Sequence, residues 1–166
     1  MNTIDILGEE ETFRNIVERT ITEFEDSEIE VIGDYAFRSC SALTSVSFPN
    51  ATTIGSYAFN SCSALTNVSL PAATSIGDSA FESCSALTSV SLPAATSIGS
   101  SAFRSCSKLT TLYIGTESNT VCTLSSTNAI PSNVTDIYVP EALVDSYKTA
   151  TNWSSFANKI KAYTGV

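Results

Sequence analysis

Apolar residues recur along this chain in a fixed rhythm. Aligned on the dipeptide Ala-Phe, copies begin at Ala36-Phe37, Ala58-Phe59, Ala80-Phe81 and Ala102-Phe103, each 22 residues after the last. A fixed period in the twenties is the mark of a solenoid, in which one coil cannot bury its apolar side alone and stacks on its neighbours. Within each coil a run L-x-x-V-x-L-P alternates apolar and polar positions, as a strand does: Leu43, Val46, Phe48, Pro49; Leu65, Val68, Leu70, Pro71; Leu87, Val90, Leu92, Pro93. The proline has no backbone N–H for a ladder and closes the strand. A second apolar row, Ile32, Ile54, Ile76 and Ile98, is followed each time by Gly, which permits a turn or a tight approach between coils.

The pattern continues beyond the four obvious copies. Ile21-Thr-Glu-Phe24 takes the place of Leu43-Thr-Ser-Val46, Leu109-Thr-Thr-Leu112-Tyr-Ile114 extends the series, and Val134-Thr-Asp-Ile137-Tyr-Val139-Pro140 repeats it after 25 residues instead of 22. This predicts about six parallel short strands wound as a right-handed coil, a stack roughly 24 Å long. Its ends must differ from its middle, since an open coil exposes an apolar face and an unpaired edge. Residues 9–19, EEETFRNIVER, place Phe13, Ile16 and Val17 on one helical face with acids in the first turn, where the helix dipole favours them. Residues 1–20 are thus read as an N-terminal helical cap that also discourages end-to-end stacking. Residues 21–139 form the solenoid, with strict repeats at 36–115 and a degenerate last repeat at 116–139. Residues 140–166 form a C-terminal, helix-containing cap, with Leu143, Val144, Tyr147, Trp153, Phe156 and Ile160 available for burial. The whole is expected to be one folded domain.

The unit I-G-x-x-A-F-x-x-C-x-x-L-T-x-V-x-L-P resembles the repeat of the BspA-like leucine-rich repeat family. Ile54-Gly55, Ala58-Phe59, Cys62, Leu65-Thr66, Val68 and Leu70-Pro71 match it in order. The resemblance covers residues 21–114, and IYVPEALVDSYKTATNW is similar to a segment that often ends such proteins in gut bacteria. It implies display on a bacterial surface, or secretion, and adhesion to host proteins or to other cells.

Charge sharpens the picture. Residues 1–34 hold eleven acids against Arg14 and Arg19, while residues 35–166 hold six charges of each sign, so the formal net charge of -9 sits at one end. Such a field repels phosphate backbones and anionic lipid heads, and no basic stripe offsets it, which argues against nucleic acid as a partner. No apolar run is long enough for direct membrane insertion, and the opening MNTIDILGEEETFRNI lacks the basic start and apolar middle of a secretory signal. The chain therefore stays in its cell of synthesis, leaves by another route, or is part of a longer one.

Candidate chemistry is sparse. Cys40, Cys62, Cys84 and Cys106 suggest four thiolates for a metal, but one per coil puts them in a line about 5 Å per step, whereas zinc needs four sulfurs converging about 2.3 Å from one point. They are read as a buried thiol row; Cys122 falls outside it, and its pairing is not legible. Phe37, Phe59, Phe81 and Phe103, each beside Ala, are read as a core row rather than an aromatic binding strip. Ser105-Cys-Ser-Lys108 matches S-x-x-K only because Lys108 replaces a repeat alanine, and its partner motifs are absent. The chain has no His, which removes triads, Cys-His dyads and histidine metal sites. EFEDSEIE lacks the order and glycine of a calcium loop, and the sequons at Asn50, Asn67, Asn133 and Asn152 matter only in a secretory host. No enzyme, cofactor or metal is expected.

What remains is surface. Outward strand positions form one row of Ser45, Asn67, Ser89 and Thr111 and another of Ser47, Ser69, Ser91 and Tyr113, the candidate face for a protein or glycan partner. Arg38, Asn60, Glu82 and Arg104, with Tyr35, Tyr57 and Tyr113, are second candidates. Small uncharged groups offer hydroxyls but few anchors, so avidity through many copies suits this face better than one strong contact. The alternative is a spacer or subunit of a phage or cell-surface assembly, with oligomerisation possible.

Overall fold

The computed structural model describes Thr3–Ile4 and residues 20–165; the helical cap expected at residues 9–19 lies outside the described residues. Along the stack run two rows of parallel strands. The first comprises β2 (Glu23–Glu25), β4 (Ser45–Ser47), β6 (Asn67–Ser69), β8 (Ser89–Leu92), β10 (Thr111–Ile114), β12 (Asp136–Pro140) and β13 (Ile160–Tyr163). The second comprises β1 (Thr3–Ile4), β3 (Val31–Ile32), β5 (Thr53–Ile54), β7 (Ser75–Ile76), β9 (Ser97–Ile98) and β11 (Thr123–Leu124), joined into one six-stranded sheet. A helix, α1 (Val144–Thr149), stands between β12 and β13.

The count of six strands is corrected in two ways. β13 adds a further strand to the first row: Ile160, expected only to fill the cap, pairs with Ile137 and extends the sheet by one rung. The isoleucine row is itself a sheet, with Ile32, Ile54 and Ile76 in register from coil to coil. Two-residue strands carry almost no alternation, which is why the period-2 pattern missed them.

A third side of each coil is held without strands. The N–H groups of Tyr35, Phe37 and Ser39 donate to the carbonyls of Ser56, Ala58 and Asn60 in the next coil, and Tyr57, Phe59 and Ser61 repeat the set one coil on. Alternate N–H groups align with the stack because the residues at either end of each triplet are left-handed: Tyr35, Ser39, Tyr57, Ser61, Ser79, Ser83, Ser101 and Ser105 have φ between 53° and 63°. That conformation costs an L-residue roughly 1–2 kcal/mol, offset at Tyr35, Ser39, Tyr57, Ser61, Ser79 and Ser83 by a backbone bond to the next coil.

Inside, equivalent side chains pile up. Phe37, Phe59, Phe81 and Phe103 are fully buried, with centroids 5.1–5.5 Å apart and planes within 9° of parallel. Each buried ring contributes about 1.5–3 kcal/mol. Gly55, Gly77 and Gly99 let adjacent coils touch: a Cβ on any of them would lie 2.5–2.6 Å from backbone atoms of the preceding coil. Beside them the carboxylates of Asp34 and Asp78 each accept the N–H of a serine one coil on, Ser56 and Ser100, at 2.7 Å.

The stack closes on a polar clamp. The N–H of Cys122 donates to the hydroxyl of buried Tyr147 at 2.8 Å, and buried Trp153 donates its indole N–H to the carbonyl of Cys122 at 2.6 Å. Asn152, at φ 64°, donates to the carbonyl of Leu124, and Asn133 to those of Cys106 and Leu109. Phe156 and Ile160 are buried, while Leu143 and Val144 are half-buried. Pro140 ends β12 and precedes a 3-10 turn, Glu141–Leu143, rather than opening the helix itself.

Candidate functional site

The outer face of the first strand row begins with its backbone. Parallel register sets Glu23, Ser45 and Asn67 in one line and Glu25, Ser47 and Ser69 in the next. Beyond an interruption the lines continue as Ser89, Thr111 and Asp136, and as Ser91, Tyr113 and Tyr138. The interruption falls between β6 and β8, which belong to separate sheets. Asn67, Ser69, Ser89 and Ser91 are exposed; Ser45, Ser47, Thr111 and Tyr113 are half-buried.

Hydroxyls on this side of the molecule fall into two classes. Threonines at the strand entrance are committed: Thr44 donates to the carbonyl of Thr22, Thr66 to that of Thr44, Thr110 to that of Thr88 and Thr135 to that of Thr110. A second threonine row, Thr52, Thr74, Thr96 and Thr123, does the same along the other sheet. By contrast, among the described residues the side chains of Ser45, Ser47, Asn67, Ser69, Ser89 and Ser91 make no hydrogen bond within the chain. Thr111 has only its neighbour Thr110. On this strand face the repeat therefore fixes its backbone with threonine and leaves these five serines and Asn67 uncommitted.

At the C-terminal end the face changes character. Tyr113 and Tyr138 stack at 5.0 Å with planes 13° apart, and Tyr163 meets Tyr113 edge-on at 5.8 Å. With Ser91, Ala162 and Thr164 they line an open cup of about 470 Å³. Beside it Lys161 donates to the carboxylate of Asp136, which also accepts from Thr135, and these bonds hold Asp136 below its usual carboxylate range while raising Lys161. Tyr138 was not among the expected face residues, although the V-x-x-I-x-V-P repeat marks it as the successor of Tyr113. Tyr163 was not, because β13 has no place in the 22-residue period.

The other candidates lie elsewhere. Asn60, Glu82 and Arg104 form a loose chain, Asn60 donating to Glu82 at 3.4 Å and Arg104 standing 3.9 Å from it, an exposed contact of little energetic weight. Tyr35 and Tyr57 stack at 5.2 Å with the Arg38 guanidinium over Tyr35 at 5.6 Å. These groups belong to the left-handed turn side, away from the serine rows.

All five cysteines are buried thiols without disulfides. The row has a job beyond filling space: Cys62, Cys84 and Cys106 donate their S–H to the carbonyls of Phe37, Phe59 and Phe81 at 3.0–3.1 Å. Burial pushes Cys106 and Cys122 up to about 12 from an ordinary 9.0 and raises Cys62 and Cys84 as well, with neighbouring thiolates of the row adding to the rise. Neutral thiols of this kind are inert as nucleophiles and as metal ligands. Among the described residues no group of three or more His, Cys, Asp or Glu is placed to hold a metal ion.

The BspA-type leucine-rich repeat region model matches residues 9–129 in six copies. The chain belongs to that family. Among solved structures, this BspA-type chain is similar to a leucine-rich repeat protein of Treponema pallidum, with 26% identity and a TM-score of 0.61 over 70% of this chain and 57% of the other. It is also similar to a leucine-rich cell surface protein of Faecalibacterium prausnitzii, with 25% identity and a TM-score of 0.55 over 90% and 34%. A leucine-rich repeat protein of Bacteroides ovatus, 23% identical with a TM-score of 0.61 over 87% and 40%, shares the fold. The chain thus spans between about a third and three fifths of the lengths of these proteins. No curated protein matches it.

Proposed function

We propose that this chain is a non-catalytic interaction module that presents the serine rows of its first strand face to a macromolecular partner, protein or glycan. The uncommitted state of Ser45, Ser47, Asn67, Ser69, Ser89 and Ser91 carries the reading, because their backbones are already held by the ladder and their side chains make no hydrogen bond among the described residues. Donors and acceptors so placed are available to a ligand without breaking anything first. Similarity to a leucine-rich cell surface protein supports a position outside the cell. Among the described residues no helix is long and apolar enough to cross a membrane.

The test presents the purified chain to extracellular matrix proteins and glycans, beside a variant carrying Ser69→Glu and Ser91→Glu. Both side chains are exposed, so the variant is expected to fold and to lose at least tenfold in affinity for whatever the parent binds. Silence of the parent across both classes, or binding that the double variant retains in full, would count against this face.

A further inference from the structure

We infer that the cup at the C-terminal end of the serine face is a subsite for an uncharged sugar ring, making a neutral glycan the ligand class; this rests on the interaction-face reading above. The argument starts from register. Tyr113 stands between Ser91 on one side and Tyr138 on the other. Tyr138 covers one face of its ring at 5.0 Å, and Ser91, far smaller, leaves the opposite face bare. Tyr163 reaches across β12 to meet Tyr113 at 82°, walling the depression on a third side.

Three tyrosines converge here, whereas on the turn side of the molecule Tyr35 and Tyr57 form a two-ring stack with no cup beside it. Where a tyrosine serves the fold, its hydroxyl is used: Tyr147 is buried and accepts the N–H of Cys122. Among the described residues the hydroxyls of Tyr113, Tyr138 and Tyr163 make no hydrogen bond, and all three rings are only half-buried. A partly exposed aromatic body with an open polar tip is the combination that binding surfaces favour, since it supplies rigid contact area at small entropic loss. The volume, about 470 Å³, lies within the range of small-ligand sites.

The lining selects the ligand. Ser91, Tyr113, Tyr138, Ala162, Tyr163 and Thr164 carry no formal charge, and the nearby Lys161 and Asp136 neutralise each other. A phosphate, sulfate or carboxylate would find no cation uncommitted there, and a cationic peptide no free acid. A neutral pyranose matches both halves of the site: its C–H face packs on an aromatic ring, and its hydroxyls meet phenol, serine and threonine hydroxyls at the edge. The serine rows continue from Ser91 in the cup along β8 and on toward β6, so a glycan longer than one ring would meet Ser89, Ser69 and Asn67 next.

The experiment uses saturation-transfer NMR and titration calorimetry on the full chain. Probes are neutral hexasaccharides of glucan, xylan, mannan and galactan, with a sulfated glycosaminoglycan fragment and a proline-rich peptide as contrasts. Tyr113→Ser restores the residue that earlier coils carry at that position, so it is expected to keep the melting temperature within a few degrees. Tyr163→Ser is the companion variant, and the pair Tyr35→Ser with Tyr57→Ser controls for aromatic loss elsewhere.

Saturation transfer to the ring C–H protons of at least one neutral hexasaccharide is expected, with affinity weakened at least tenfold by Tyr113→Ser and Tyr163→Ser and unchanged by the control pair. Binding of the charged glycan or the peptide alone overturns the neutral-sugar assignment and leaves the interaction face standing. Neutral-glycan binding untouched by Tyr113→Ser and Tyr163→Ser places the site outside the cup. Binding of no probe overturns the inference, and if the matrix-protein array is silent too, the interaction-face reading falls with it.

Discussion

Gly77 sits where coil meets coil: a Cβ there would stand 2.6 Å from the carbonyl carbon of Gly55 and the amide nitrogen of Ser56, both backbone atoms that have nowhere to go. Gly77→Ala is therefore expected to destabilise the fold by about 1–3 kcal/mol, the usual cost of overpacking a tight contact, measured by urea unfolding. Ser83 shows the opposite case. At φ 63° it holds a conformation that glycine adopts without steric penalty, so Ser83→Gly removes roughly 1–2 kcal/mol of strain against up to about 1 kcal/mol of added chain entropy. A net gain of up to about 1 kcal/mol is expected, and a loss would show that Ser83 contributes something other than its backbone.

At the scale of the element, the strand rows owe their order to bonds that the side chains reinforce. Tyr147→Phe leaves the N–H of Cys122 without its acceptor inside the C-terminal clamp, and the expected cost is about 1–3 kcal/mol; thermal unfolding would register it. The break between β6 and β8 is the weak joint. Thr66 donates its N–H to the carbonyl of Thr44 and Thr110 to that of Thr88, but no such bond runs from Thr88 to Thr66 among the described residues. Val68 at the joint is half-buried where Val46 and Val90 are buried. Amides of Thr88 and Ser89 should accordingly exchange with deuterium faster than those of Thr66 and Thr110, as hydrogen-exchange mass spectrometry with short overlapping peptides can read.

For the whole molecule, the buried thiols and the buried Tyr147 phenol tie stability to pH. Cys106 and Cys122 titrate near 12 in the fold against 9.0 in an open chain, and Tyr147 near 12 against 10.0, all because burial disfavours the charged form. The unfolded chain releases these protons first. Stability from them is full below about pH 9 and is lost as pH rises toward 12, so unfolding under reducing conditions should become easier across that window. Cys84→Ala should flatten the slope while lowering stability at neutral pH, since the Phe59 carbonyl loses its S–H donor. An alkaline profile unchanged by that substitution would mean that the thiol row does not govern it.

Much of this architecture was legible because a repeat states its own geometry. A strict 22-residue period requires equivalent residues to stack, and stacking needs apolar rows inside, so the solenoid and the serine rows could be read without coordinates. Three features could not. The isoleucine sheet is built of strands too short to alternate, and the S–H bonds of the cysteines depend on where the carbonyls of Phe37, Phe59 and Phe81 point. The tyrosine cup needs Tyr163, which comes from a strand outside the repeat. Sequence alone determined which side chains line up, because periodicity is a property of spacing along the chain. Only the tertiary structure decided which of those lines end in a cavity, because that depends on a segment whose position is set by packing across the end of the stack and not by the repeat.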